Sequence, residues 1–327
     1  MNQPTALDNI QSVFLGQIRD RLPENVALAD ELAELLNVSR DSAYRRIRGE
    51  TVLSLDEVKK LYDQYGVSVD AIISPSSNMV LIQHQAVDFN YSLEEWLKSL
   101  IQNLELAKSS KNPELTFAAK DIPIFHYFRF PQLSSFKLFV WLKSVIKDPR
   151  FANLSYKPDV LPKEILAGVE KAWQLYASLP STEIWSDEVI NGTLKQIEFY
   201  RECDYFTDRN MAGQLYDQML EFINLIREEA SAGKKSEGGS FTLYQNEIFI
   251  PDNTILANIH NQRMVYINYN TTDLLTTQQG PFCEKTEDFM INLIKNSALI
   301  SATAEKERNK FFNKLESRIL ISKAKPG

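Results

Sequence analysis

The 327-residue sequence lacks the motifs by which most enzyme families are recognised. It has only 11 glycines, and none of them belongs to a glycine-rich phosphate loop or a nucleophile elbow. Its three histidines, His84, His126 and His260, are scattered over different segments without the spacing of a zinc-binding helix. The sequence therefore predicts no catalytic residues, no metal site and no cofactor. An enzyme would need a constellation of polar residues that the residue pattern does not reveal.

Cysteines and long hydrophobic runs are also scarce. The two cysteines, Cys203 and Cys283, lie far apart in the chain, which gives no support to a disulfide framework. No stretch approaches the roughly 20 apolar residues that cross a bilayer. The opening residues, MNQPTALDNIQSVFLGQIRD, contain no basic segment followed by an apolar run, so a signal or transit peptide is not expected. We expect a cytoplasmic protein without membrane association.

Positive charge is in short supply over the chain as a whole. Lysine and arginine number 36 against 43 aspartates and glutamates, a formal net charge of −7. A global basic field that would hold nucleic acid non-specifically is therefore absent. Residues 1–74 contain eight cationic and twelve acidic side chains, but four of the eight are arginines between positions 40 and 48. Any affinity for phosphate must come from this local concentration.

The first 74 residues have the pattern of five short helices. Apolar residues recur at helical spacing over 8–21 and again from Leu28 to Leu36. Asn37 is suited to the left-handed conformation that ends a helix, and Ser39 is suited to cap the next one. Ser54 and Glu57 have the spacing of a capping box, and a glycine closes the helix that they begin. The short segment VSVDAIIS supplies a fifth helix.

The third helix carries the arginines on its outer side. Ala43 and Ile47, one turn apart, define the buried side of this helix. A rotation of 100° per residue then points Asp41, Arg45 and Arg48 outward, with Ser42 and Tyr44 beside them. Arg40 lies at the amino-terminal end of this helix. In a helix that binds DNA through the major groove, the amino-terminal end enters the groove most deeply.

The stretch LADELAELLNVSRDSAYRRIRGE, residues 28–50, followed by LSLDEVKKLYDQYGVSVDAI, resembles the phage-repressor class of helix-turn-helix domains, also called XRE-like. The resemblance covers residues 8–74 and implies that residues 39–48 are the recognition helix of a transcriptional regulator that binds double-stranded DNA. The candidate DNA-binding residues are Ser39, Arg40, Asp41, Ser42, Tyr44, Arg45, Arg46, Arg48 and Thr51. Members of the class usually have a hydrophobic residue where Arg46 stands. Which arginines contact bases and which contact phosphates stays open at this point.

Two functions are compatible with this module. Sequence-specific DNA binding is favoured by the dense group of arginines on one helix. Because a weakly basic module binds a single half-site poorly, a homodimer is expected. The alternative is a protein-interaction adaptor or antitoxin-like module that uses the helix-turn-helix as a docking surface, or an arginine face that is merely solvated. The negative charge of residues 1–74 favours that alternative.

The remainder of the chain is predicted to be a larger, mainly helical region. A break in SPSSNMV places a linker at 75–91 and an effector or dimerisation region at 92–327. Helices are expected near 162–179, 182–204 and 208–232, and three alternating segments predict a small antiparallel β-meander at about 241–268. The predicted fold class is thus mainly α, of α+β type. The size of this region suggests that it senses an unidentified small molecule or protein.

Three features of this region leave alternatives open. The aromatic residues of 117–141 form either an apolar ligand pocket or ordinary core, and core packing is the commoner case. The segment SAGKKSEGGS, residues 231–240, has the composition of a mobile loop. In the last helix, Phe311, Leu315 and Ile319 form an apolar stripe that either packs within the chain or meets a partner subunit.

Overall fold

The computed structural model describes residues 10–22, 26–73, 80–85, 93–247, 250, 252–270 and 273–325. The chain divides into two compact units, Met1–Leu81 and Ile82–Gly327. This division falls within the predicted linker 75–91, most of which lies outside the described residues. Its described part includes a short strand, Gln83–Gln85, that belongs to the second unit. None of the helices in the described ranges combines the length and apolar content that a membrane span requires.

The first unit is a small helical domain. Its described residues form five helices: α1 Ile10–Arg19, α2 Leu28–Leu36, α3 Arg40–Ile47, α4 Leu55–Tyr65 and α5 Val69–Ile73. One apolar face of each of the first four helices packs into a common core, to which α3 contributes the fully buried Ala43. At its centre α3 thus packs into the core through the small side chain of an alanine.

The ends of these helices lie where local side-chain chemistry predicts them. Asn37 has a φ of 54° and closes α2, and the Ser39 hydroxyl accepts a hydrogen bond from the Ser42 amide at 3.2 Å to begin α3. Ser54 and Glu57 form a complete capping box on α4. Gly66, with a φ of 65°, ends that helix. The predicted caps are therefore confirmed.

The second unit is built on a mixed β-sheet. Within the described residues the sheet has eight strands: β1 Gln83–Gln85, β2 Glu114–Ala119, β3 Ser181–Trp185, β4 Phe241–Gln245, β5 Thr254–Ile259, β6 Gln262–Asn270, β7 Asp273–Thr277 and β8 Ala298–Leu299. The helices are α6 Leu93–Ser109, α7 Ile124–Tyr127, α8 Pro131–Val140 with a π-helical continuation Trp141–Val145, α9 Lys163–Ser178, α10 Asn191–Glu202, α11 Met211–Ala232, α12 Gly280–Lys295 and α13 Glu305–Ala324.

The prediction of a mainly helical region with a small antiparallel meander is wrong. In the described residues the strand order is β1-β7-β6-β5-β2-β3-β4-β8, and the three neighbours β2, β3 and β4, between β5 and the edge strand β8, are parallel. The register places Phe117 beside Glu183 and Glu183 beside Leu243. Parallel neighbours need helical crossovers, so β4 is separated from β3 by two helices instead of beginning a meander. Strand β3 itself occupies the start of the predicted helix 182–204.

Helices cover both faces of the central strands. Successive side chains of β3 point to opposite faces, so Ile184 packs with Met290 of α12 while Trp185 packs with the cluster of α8, α10 and α11. Most aromatic residues of 117–141 are buried in the two large hydrophobic clusters. Of the two alternatives for these residues, a ligand pocket or ordinary core, the structure thus has core packing. The apolar stripe of α13 is also buried within the chain, in the cluster that contains α11.

Candidate nucleic-acid interface

The candidate interface is built on the helix-turn-helix formed by α2 and α3. Only three residues, 37–39, separate the two helices. The left-handed Asn37 reverses the chain, and the Val38 amide donates a hydrogen bond to the Ala33 carbonyl at 3.0 Å. The Ser39 cap then starts α3 immediately. The turn is therefore short and hydrogen-bonded, which fixes the direction of α3 relative to α2.

Helix α3 turns most of its polar side chains to solvent. Ala43 is fully buried, and Ile47 is partly buried against the same core. The exposed candidate residues are Ser39, Arg40, Asp41, Tyr44, Arg45 and Arg48. Ser42, Arg46 and Thr51 are only partly exposed. We call the exposed arginines, Arg40, Arg45 and Arg48, the cationic face.

Each arginine of the cationic face lies next to an acidic side chain of the same unit. Arg40 Nε is 2.9 Å from Asp30 Oδ1 on α2, and Arg48 Nε is 2.6 Å from Glu50 Oε1 in the loop after α3. Arg45 Nε lies 3.7 Å from Glu50 Oε2, beyond hydrogen-bond distance. The hydrogen bond from Arg48 holds the pKa of Glu50 below its usual range. Exposed pairs of this kind contribute little stability, so they exchange readily for another anion.

Arg46 has different surroundings from the cationic face. Its side chain is 14% exposed, and Nη2 lies 2.7 Å from Glu57 Oε1 on α4. Nη1 donates to the Ser42 carbonyl at 3.2 Å. Burial raises the pKa of Glu57, but hydrogen bonds from Arg46 and Ser54 outweigh it and lower that pKa overall. Arg46 thus forms a largely buried ion pair between α3 and α4.

Gln11 is a positioning residue that the sequence pattern did not single out. Its side-chain nitrogen donates to the Arg46 and Thr51 carbonyls, each at 2.8 Å. Its side-chain oxygen accepts from the Leu53 amide, also at 2.8 Å. These bonds join α1 to the loop that follows α3, so the Thr51 backbone carbonyl is already engaged. A glutamine on an amphipathic helix gives no sequence signal for such a role, because its partners are 35 to 42 residues away.

The second unit contains a charged group of a different kind, the buried network of His126, Tyr176, Ser181, Glu183, Trp185 and Lys235. Glu183 is fully buried on β3, and its carboxylate lies 3.0 Å from His126 Nε2 and accepts from Trp185 Nε1 at 2.9 Å. The Tyr176 hydroxyl donates to the same carboxylate. Burial raises the pKa of Glu183, but His126, Lys235 and Tyr176 together lower it.

Lys235 comes from the segment that was expected to be a mobile loop. Gly233 and Gly238 have positive φ angles there, and the Lys235 amide donates to the Gly239 carbonyl at 2.8 Å. In this turn Lys235 Nζ donates a hydrogen bond to Ser181 Oγ at 2.7 Å. Only 2% of Lys235 is exposed. Burial lowers the pKa of Lys235 to about 8. Each residue of the buried network is at most 4% exposed, so the network has almost no contact with solvent.

The other candidate ligand residues do not converge. His84 lies on β1 and His260 lies in the turn between β5 and β6, where its ring contacts Ser109. Of the cysteines, Cys203 is exposed and Cys283 is buried, and both are free. Among the described residues no group of three or more histidine, cysteine, aspartate or glutamate side chains has the arrangement of a metal site.

Comparison with known proteins adds no relative to this description. No family model matches the chain, and neither a curated protein nor a solved structure matches it. The functional argument therefore depends on the residues and contacts described above.

Proposed function

We propose that this protein is a sequence-specific DNA-binding transcriptional regulator that uses α3 as its recognition helix. The observation that carries the proposal is the cationic face: three exposed arginines on one short helix and its carboxy-terminal cap, directly after a tight helix-turn-helix turn. Arginine is the side chain best suited to the major groove, because its fork of N–H donors matches guanine O6 and N7. As part of this proposal the protein acts in the cytoplasm as a homodimer, and the second unit senses an effector or joins the two subunits.

The charge balance of the first unit fits specific rather than general attachment to DNA. The described acids of α2 and of the loop after α3, among them Asp30 and Glu50, surround the arginines. A phosphate backbone is repelled by these carboxylates except where an arginine faces it. One unit therefore makes few phosphate contacts, and two recognition helices in successive major grooves would supply the rest.

The test is a binding-site selection followed by fluorescence anisotropy with the purified full chain. The variant R40A/R45A/R48A should bind the selected duplex at least about 100-fold more weakly, since one good arginine–base contact contributes about 1–3 kcal/mol. The matched control R19A/K59A/K60A removes three exposed cations of α1 and α4, and should retain most of the affinity. Equal binding by the wild type and the α3 variant would contradict the proposal.

A protein-docking function is the second candidate, favoured by one specific observation. Val52, in the loop after α3, and Leu55, the first residue of α4, are 80% and 87% exposed, which is unusual for apolar side chains. An interface built on these residues would depend weakly on salt. DNA binding instead should weaken steeply, with a logarithmic slope of about −0.9 for each phosphate contacted. A salt titration of any partner that the protein binds thus separates the two functions.

A further inference from the structure

The arginines at the two ends of the cationic face present the same two nitrogens, Nε and Nη2, to a carboxylate. Arg40 Nη2 donates a hydrogen bond to Asp30 Oδ2 at 3.2 Å, and Arg40 Nε lies 2.9 Å from Asp30 Oδ1 as an ion pair. Arg48 engages Glu50 through the same two nitrogens, at 2.6 and 3.2 Å. In both pairs the carboxylate occupies the side edge of the guanidinium. Neither acid belongs to α3 itself, so two separate parts of the unit hold the two arginines in the same way.

This geometry leaves the other edge of each guanidinium available. A guanidinium carries five N–H donors in a plane, and a carboxylate on the Nε and Nη2 side uses two of them. The end edge, made of Nη1 and the second Nη2 hydrogen, is the pair of donors that matches guanine O6 and N7. A held guanidinium also loses less side-chain entropy on binding than a free one.

From these contacts we infer that Asp30 and Glu50 are positioning residues that orient Arg40 and Arg48 for guanine, whereas Arg45 contacts phosphate. The inference deepens the proposed DNA-binding function and rests on it. Arg45 is assigned differently because its single contact with Glu50, at 3.7 Å, does not hold its guanidinium. Arg40 begins α3 and Arg48 follows its last residue, so their Cα atoms lie about 12 Å apart along the helix axis. Both guanines therefore fit within one half-site.

As positioning residues, Asp30 and Glu50 favour specific binding, although they are negatively charged like the DNA phosphates. Removing a carboxylate near DNA lowers electrostatic repulsion, which strengthens binding to any duplex. Removing a positioning carboxylate also releases the arginine, which weakens the contact to one guanine only. The ratio of affinities for the selected and a random duplex separates these two effects.

The experiment uses the duplex recovered by selection with the full chain and copies in which single guanines are replaced by 7-deazaguanine, which lacks the N7 acceptor. Wild type should lose about 10-fold in affinity at two of these guanines. Arg40→Ala should abolish the loss at one of them and Arg48→Ala at the other. Asp30→Ala should reduce the loss at the Arg40 guanine, and Glu50→Ala at the Arg48 guanine, while neither weakens binding to a random duplex. Arg45→Ala should instead lower the salt slope by about one for both duplexes.

The matched control is Asp63→Ala, which removes an exposed acid that pairs with Lys59 on α4. It changes the charge by the same amount and should leave the sensitivity to 7-deazaguanine intact. If Asp30→Ala and Glu50→Ala change the affinities for selected and random duplexes by the same factor, the acids only repel phosphate and the inference is overturned. A selected duplex without any guanine that is sensitive to N7 removal also overturns it, although DNA binding stands. If the wild type binds no duplex at any salt concentration, the proposed function itself fails.

Discussion

The cationic face and the buried network both contain charged side chains that make hydrogen bonds, but their surroundings give them opposite roles. In the cationic face the partners Arg40 and Asp30 have side chains 62% and 54% exposed. In the buried network His126 and Glu183 are both fully buried. Water competes for the first pair at all times, whereas the second pair is shielded from water and makes its hydrogen bonds within the buried network. The exposed charges are thus free to bind something else, and the buried charges are committed to the fold.

The largest expected effect comes from breaking the buried network at its centre. Glu183→Ala should lower the free energy of unfolding of the second unit by about 3–5 kcal/mol, because it leaves several buried donors without their acceptor. All four tryptophans lie in this unit, so tryptophan fluorescence during urea unfolding reports on it alone. The exposed Glu237→Ala serves as control and should change the value by less than about 0.5 kcal/mol. A small effect of Glu183→Ala would mean that the network does not stabilise the unit.

The next effect is the pH dependence of stability that the buried Lys235 produces. The folded-state pKa of Lys235 is about 8, below its ordinary value of 10.5. Below about pH 8 both states hold the proton and the folded state carries the full cost of burying it. Between about pH 8 and pH 10.5 the unfolded state binds more protons than the folded state. The free energy of unfolding therefore rises with pH in this range, by at most about 1.4 kcal/mol per pH unit for this group.

Urea unfolding of Lys235→Met at about pH 7.5, 8.5 and 9.5 tests this prediction. In this variant the free energy of unfolding should rise less steeply with pH than in the wild type, by the contribution of the one missing lysine. The control Lys234→Met, at the exposed neighbouring position, should keep the wild-type slope. Lys137, whose pKa is also lowered to about 8 by burial, contributes a similar share and remains in both variants. An unchanged slope in Lys235→Met would indicate that this lysine keeps its ordinary pKa in the folded protein.

Arg46 is intermediate between the cationic face and the buried network, because it lies on α3 but its side chain is largely buried. Arg46→Ala leaves Glu57 partly buried without its partner and should destabilise the first unit by about 1–2 kcal/mol. Amide hydrogen exchange of peptides from α3 and α4 in the full chain measures this loss. Sensitivity to 7-deazaguanine in the selected duplex should not change. Loss of that sensitivity at a single guanine would instead place Arg46 among the base-contacting residues.

Sequence reasoning succeeded where the cause is local. The caps at Asn37, Ser39 and Ser54 depend on residues at most a few positions apart, and helical periodicity was sufficient to place Arg45 and Arg48 on the outer side of α3. It failed where partners are distant. The pairing of Arg46 with Glu57 joins two helices, and no pattern within either helix indicates it.

The sheet of the second unit was missed for the same physical reason. Strand β3 has only five residues, and one of its side chains is the buried Glu183, so neither length nor hydrophobic alternation marked it as a strand. Lys235 was read as part of a mobile loop because its neighbours are glycine, serine and lysine. Its burial is possible only through Ser181 and Tyr176, which are contributed by another part of the chain.

The smallest expected effect is on stability when the cationic face is altered. Arg40→Ala and Arg48→Ala should each change the protection of amides in α2 and α3 by the equivalent of less than about 0.5 kcal/mol, since exposed ion pairs contribute about 0.2–1 kcal/mol and salt screens them. A loss comparable to that of Arg46→Ala would mean that these arginines stabilise the helical domain, and weaker DNA binding by the same variants would then have a structural cause. The expected near-absence of an effect is what makes the binding measurements interpretable, because an arginine that contributes little to the fold can be removed to ask what it contacts.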